Sequence, residues 1–74
     1  MNTQPPGNII PQDARARIIT AMRPGREYTI GDIARAASIT EAQAHSNIWK
    51  LVDMGLVRRT GRVHGINFYA IETP

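Results

Sequence analysis

The side chains of this chain that could do chemistry are hydrogen-bond donors and cations rather than nucleophiles or paired acids. The basic residues are Arg15, Arg17, Arg23, Arg26, Arg35, Arg58, Arg59 and Arg62, with Lys50 as the one lysine, and Gln43, Ser46 and Asn47 stand just before that lysine. Arginine's planar fork grips phosphate through two parallel hydrogen bonds and reaches guanine edges, and an amide sets a donor beside an acceptor. Such groups recognise nucleic acid; they do not break bonds. No nucleophile stands with a base at a recognisable spacing, no glycine loop cradles phosphate, the carboxylates do not cluster, and His45 and His64 are far apart. An enzyme is therefore not expected. Neither is a cofactor or a metal, because His64 has no second ligand at metal spacing and the chain has no cysteine. The formal net charge of +3 leans modestly towards nucleic acid, since the same charge is ordinary for solubility and a GC-rich coding preference also enriches arginine.

The candidate donors must be held by the stretch Ser38 to Arg59, which reads as one amphipathic helix running into a strand. Ala44, Ile48, Leu51, Val52 and then Gly55 recur at three- and four-residue spacing, which predicts a single buried stripe. Gln43, Ser46 and Lys50 fall on the opposite face. Thr40 with Gln43 forms a capping-box pattern, so the helix is expected to span about 40–54, and Gly55 to end it in the left-handed conformation. A DNA major groove is about 12 Å wide and admits a helix whose leading face carries small or planar polar groups. That is the face predicted here. The same positions are also what any solvated helix face carries, so the helix alone leaves both readings open.

A length of 74 residues bounds the chain to one small domain with room for three short helices and a hairpin. Met1 to Ile10 contains Pro5, Pro6 and Gly7 without periodicity and reads as a flexible arm (1–10) ahead of a domain over 11–74. The first helix is expected from Gln12 to Met22, with Asn8 or Asp13 near its cap, Pro11 in its first turn, Ala14, Ile18, Ala21 and Met22 on one face, and Pro24-Gly25 after it. Glu27 to Thr29 is too short for a full strand but could pair as a brief third edge near 27–29. Thr29 and Asp32 repeat the capping pattern, ahead of a second helix over Ile30 to Ala37. Only Ser38 and Ile39 separate it from the next helix, so the two cross steeply with Ile39 as an apolar plug. Beyond Gly55 two extended runs, Leu56 to Thr60 and Ile66 to Ile71, flank a loop over Gly61 to Gly65 and predict a hairpin with a fairly long connection. Phe68 is expected inward, and Tyr69 partly exposed. No apolar run reaches the length of a membrane span and the first residues lack a signal architecture, so a cytoplasmic location is expected.

The predicted order is helix, short strand, helix, helix, strand, wing loop, strand: an α+β winged helix-turn-helix. In TIGDIARAASITEAQAHSNIWKLVDMGLVRR, Thr29 opens a helix, Ile33-Ala34 packs its middle, Thr40 caps the next helix, and Leu51 precedes Gly55-Leu56-Val57 and Arg58-Arg59. The segment resembles the helix-turn-helix core of bacterial winged-helix transcription regulators of the multiple-antibiotic-resistance and deoxyribose-operon repressor types, over about Arg17 to Ile71. The resemblance implies sequence-specific binding of double-stranded DNA. Thr40, Gln43, Ser46 and Asn47 would face the groove, with Gln43 bridging an adenine's donor and acceptor. Lys50 would sit on a flanking phosphate, and Arg62 and His64 on the wing would reach the minor groove or its phosphates. Arg58 and Arg59 alternate faces on a strand, so at most one of them points at a phosphate. This chain departs from the pattern at His45 and Ser46, where such regulators often carry arginine, and Glu41 is repelled by phosphate although it suits the helix dipole.

One domain of this size covers a single half-site, and specific binders commonly gain affinity by pairing. No separate dimerisation helix follows Ile71. A homodimer through helix one and the arm, copies side by side on DNA, and a fragment of a longer protein all fit, and no small-molecule effector is evident. The competing reading is a winged-helix module that binds another protein without touching DNA. It draws on Trp49, which stands at the edge of the predicted buried stripe.

Overall fold

The computed structural model of the protein describes residues 13–72. The expected arm over 1–10, and Pro11 and Gln12 at the expected start of the first helix, lie outside them. Three helices are followed by an antiparallel hairpin: α1 is Ala14–Ala21, α2 Ile30–Ala37, α3 Glu41–Asp53, β1 Val57–Val63 and β2 Ile66–Ile71. This is the α+β order of a winged helix-turn-helix. Among the described residues no helix is long and apolar enough to cross a membrane.

Helix α1 starts at Ala14 because Asp13 is its cap, the carboxylate accepting from the Arg15 backbone N–H at 3.1 Å. Thr29 and Asp32 close a reciprocal capping box on α2, and Thr40 and Gln43 close another on α3, as the two sequence patterns predicted. Both helices then end in one arrangement. Ile39 N–H donates to Ala34 O at 3.0 Å and Ser38 N–H to Arg35 O at 3.3 Å; Leu56 N–H donates to Leu51 O and Gly55 N–H to Val52 O, both at 3.0 Å. These paired bonds satisfy carbonyls the last turn leaves free, and they require a left-handed residue. Gly55 takes it at φ 78°, while after α2 the position falls on Ser38 at φ 58°.

The core lies where the three helices and the base of the hairpin meet. Ile18, Ile33, Ile48, Leu51 and Val57 are wholly enclosed, each contributing on the order of 1.5–3 kcal/mol of burial. Ala34 and Ala37 on α2 and Ala44 on α3 are buried as well, and these small side chains let the two helices come close. Ile39 packs against the cluster from the turn. Val52 does not join the buried stripe: it is 36% exposed, on the flank of α3.

The hairpin differs from expectation in its connection and in its facing. Strand β1 runs on to Val63, with Gly61 opposite Phe68, Arg62 opposite Asn67 and Val63 opposite Ile66. The tip is therefore only His64-Gly65. At φ 50° and 80° these two residues have the positive angles of the tightest hairpin turns. A bulge at Thr60, where the register slips between Arg59 and Gly61, lets Gly61, Arg62 and Val63 of the expected loop pair in the ladder. Tyr69, not Phe68, is the inward aromatic. Val57 pairs with Ile71 and Arg59 with Tyr69, so these four share a face, and Val57 is buried in the core. Phe68 is half-buried, on the other face. The brief third edge is a single bridge, with Tyr28 and Tyr69 exchanging backbone hydrogen bonds at 2.8 Å. It ties the hairpin to the α1–α2 connection, where the Tyr28 hydroxyl also accepts from Arg23 N–H at 2.9 Å.

Candidate nucleic-acid interface

Helix α3 buries Ala44, Ile48 and Leu51, which turns Ala42, Ser46, Trp49 and Asp53 outward at the four-, three-, four-residue spacing of the opposite face. None of the predicted groove residues belongs to the buried stripe, and only Ser46 belongs to the outward one. Ser46 and Lys50 are exposed, and Lys50 has no ion-pair partner among the described residues. Thr40 and Gln43 are occupied in the cap. The Thr40 hydroxyl accepts from Gln43 N–H at 3.0 Å, and Gln43 Oε1 accepts from Thr40 N–H at 3.0 Å and from the Thr40 hydroxyl at 3.3 Å. Asn47 is half-buried and folds back along the helix, its Nδ2 donating to Gln43 O at 2.8 Å. So both amides expected to face a groove already hold their own helix.

The hairpin lies along one flank of α3. His45 and Glu41 line a cleft of about 420 Å³ with Gly65, Ile66 and Asn67, and Trp49 and Val52 line another of about 380 Å³ with Ile48, Arg59, Asn67 and Tyr69. The second cleft is what sequence reasoning missed. It required knowing that Tyr69 faces inward, which carries Arg59, its cross-strand partner, to the α3 side. A third hollow, of about 650 Å³, is lined by Arg26, Glu27, Tyr28, Asp32, Arg35 and Ala36, with no residue of α3 or the hairpin.

The predicted wing cations take different roles. Arg58 is paired, Nε lying 3.2 Å from Glu72 Oε1, whereas Arg59 and Arg62 are exposed and free of carboxylate partners among the described residues. Arg59 and Arg62 sit opposite Tyr69 and Asn67, both of which line clefts against α3. The two free cations therefore belong to the side of the hairpin that turns to the helix. Arg62 lies within the ladder, and His64 alone of the predicted residues occupies the tip, where it is exposed. Two side-chain atoms, Thr60 Oγ1 and Asn67 Oδ1, are buried in the hairpin without a hydrogen-bond partner.

Away from this surface, the Asp32 carboxyl is held below the usual carboxylate range. The backbone N–H of Thr29, donating at 3.1 Å, is the main cause. Partial desolvation opposes it, and the Thr29 hydroxyl and the Arg35 guanidinium, 2.6 Å away, add to the lowering. Comparison with known proteins finds no family model that matches this chain, and no match among curated proteins or solved structures.

Proposed function

We propose that this chain binds double-stranded DNA as a small transcription regulator of bacterial type, with α3 in the major groove and the hairpin on the neighbouring minor groove or backbone. The observation that carries the reading is the placement of Arg59 and Arg62. Both are without a carboxylate partner among the described residues, both lie on the side of the hairpin that meets α3, and with Lys50 on the helix they frame one exposed surface. Cations on a helix and on the hairpin along its flank suit a duplex, whose phosphates run on either side of a groove. Ser46 and the outward face of α3 then meet base edges, and His64 at the turn is the part of the hairpin that reaches furthest.

Fluorescence anisotropy of a labelled random-sequence duplex, titrated at low salt and again as salt rises, tests the proposal. Micromolar binding that weakens steeply with salt and is competed by unlabelled duplex is the expected result. Absence of binding at low salt would turn the reading to a protein-interaction module. The observation that favours that second reading is Trp49, 63% exposed in a cleft it shares with Val52, which is 36% exposed.

A further inference from the structure

If α3 enters a major groove, the face it leads with differs from the one its polar residues advertise. An amide specifies adenine by presenting a free oxygen and a free nitrogen together. Gln43 has its oxygen committed to Thr40, and Asn47 is half-buried and gives one of its two N–H groups to the helix backbone, so neither stands free on the outward face. What stands outward instead is Ala42, Ser46 and Trp49, all exposed and on one stripe. Ala42 and Trp49 are two turns apart, roughly 10 Å along the axis. Trp49 is 63% exposed, and it lines one cleft with Val52 of its own helix and with Arg59, Asn67 and Tyr69 of the hairpin.

On the major-groove edge of DNA the one apolar group is the C5 methyl of thymine, the natural complement of an alanine methyl or an aromatic ring. We infer that this stripe recognises thymine through its C5 methyl groups, with Trp49 as the reading residue and Ala42 as a second contact; the inference rests on the DNA-binding reading above. Charge complementarity selects DNA over an apolar partner for this face. Lys50 stands beside the stripe on α3, Arg59 shares a cleft with Trp49, and Arg62 lies on the same side of the hairpin as Arg59, while Glu41 precedes the stripe and Asp53 continues it beyond Trp49. Ser46, between the two apolar residues, hydrogen-bonds to any base and so leaves the choice to its neighbours.

The test compares the full chain on a short alternating dA·dT duplex and on the same duplex with deoxyuridine in place of thymidine, which removes the methyls and keeps every base-edge hydrogen bond. Loss of one well-buried methyl contact weakens binding about fourfold. The thymine duplex is therefore expected to bind at least that much more tightly. Because Trp49 is the chain's single tryptophan, its fluorescence reports the contact directly and should change on binding the thymine duplex. Trp49→Ala, at an exposed position where circular dichroism verifies the fold, should lose most of the preference and keep only the share that Ala42 supplies, and Trp49→Phe should retain more of it. Equal affinity of the unaltered chain for both duplexes overturns the thymine inference and leaves DNA binding standing. Failure to bind either duplex at low salt overturns both and makes the Trp49 face a protein-docking surface.

Discussion

Helix α3 and the hairpin border the same clefts, yet they are held on opposite terms. The helix-turn-helix is closed at every end: capping boxes start α2 and α3, paired carbonyl bonds finish them, and the side chains between are enclosed by α1 and β1. The hairpin is anchored at its base by Val57, Tyr69 and the Tyr28 bridge, and beyond the Thr60 bulge it gives up burial. Val63 and Ile66 are 52% and 53% exposed, and two buried polar atoms near the bulge go unpaired. Buried polar groups are normally satisfied, so the hairpin gives up stability that the helices do not. The difference teaches that fold stability resides in one region and charge presentation in the other, and substitutions can therefore separate them.

Leu51→Ala breaks the helical side hardest. Leu51 is wholly enclosed, and truncating such a leucine costs about 2–5 kcal/mol through lost transfer energy and the cavity left behind. That is of the order of a small domain's entire stability, so urea unfolding followed by circular dichroism should show a transition collapsed towards zero denaturant. Ile66→Ala, the same kind of truncation at a half-exposed hairpin site, should cost under about 1 kcal/mol. Equal losses at the two sites would erase the distinction.

The two helix stops sharpen it next. An added Cβ at Gly55 meets nothing within 4 Å, so Gly55→Ala isolates the cost of a side chain at φ 78°, expected at about 1 kcal/mol. Ser38 already carries that strain at φ 58°. Ser38→Gly should therefore raise stability, by about 0.5 kcal/mol once glycine's greater unfolded-state freedom is subtracted. Thermal melts of the two variants should move in opposite directions.

The helix-turn-helix was legible in the sequence because its signals are local. Thr29 with Asp32, Thr40 with Gln43 and the glycine after α3 each act within a turn of the chain, and the structure puts boundaries where they point. The hairpin was less legible because its facing depends on pairing across strands. Alternation made Phe68 and Tyr69 equally eligible for the core; the choice was made by Val57 on β1 and by Tyr28, more than forty residues before Tyr69. Gly61 read as a loop residue, but the Thr60 bulge let it stay in the ladder. The site suffered from the same locality. A capping box and an adenine-reading amide call for the same residue type, and only the hydrogen bonds from Thr40 assign the Gln43 oxygen to the cap.

On the hairpin side, Arg59→Ala and Arg62→Ala remove exposed cations that have no ion-pair partner among the described residues, so each should leave stability within about 0.5 kcal/mol. DNA binding should respond where folding does not: each variant is expected to weaken binding to all sequences alike and reduce the salt dependence by about one unit of slope. Arg58→Ala is the internal control, because Glu72 already neutralises Arg58. A slope lost at Arg58 and kept at Arg59 would reverse the assignment of the two faces.

The smallest effect expected is an acid limb belonging to the helical side. Asp32 is held below its ordinary carboxylate value, chiefly by the Thr29 N–H, so in the folded protein it releases its proton at lower pH than in the unfolded chain. Its contribution is thus complete above about pH 4 and is lost as pH falls through the folded value, where the unfolded state is already protonated and the folded state must follow. The side chain is 42% exposed, so solvent screens the ion pair with Arg35 and the contribution is small. In Asp32→Asn an amide oxygen still accepts from Thr29, but nothing titrates. Urea midpoints measured between about pH 6 and pH 3 should fall more steeply for the unaltered chain than for this variant, with the curves converging at the acid end. Parallel curves would mean that the cap on α2 draws on a neutral hydrogen bond alone, and that charge matters only on the hairpin.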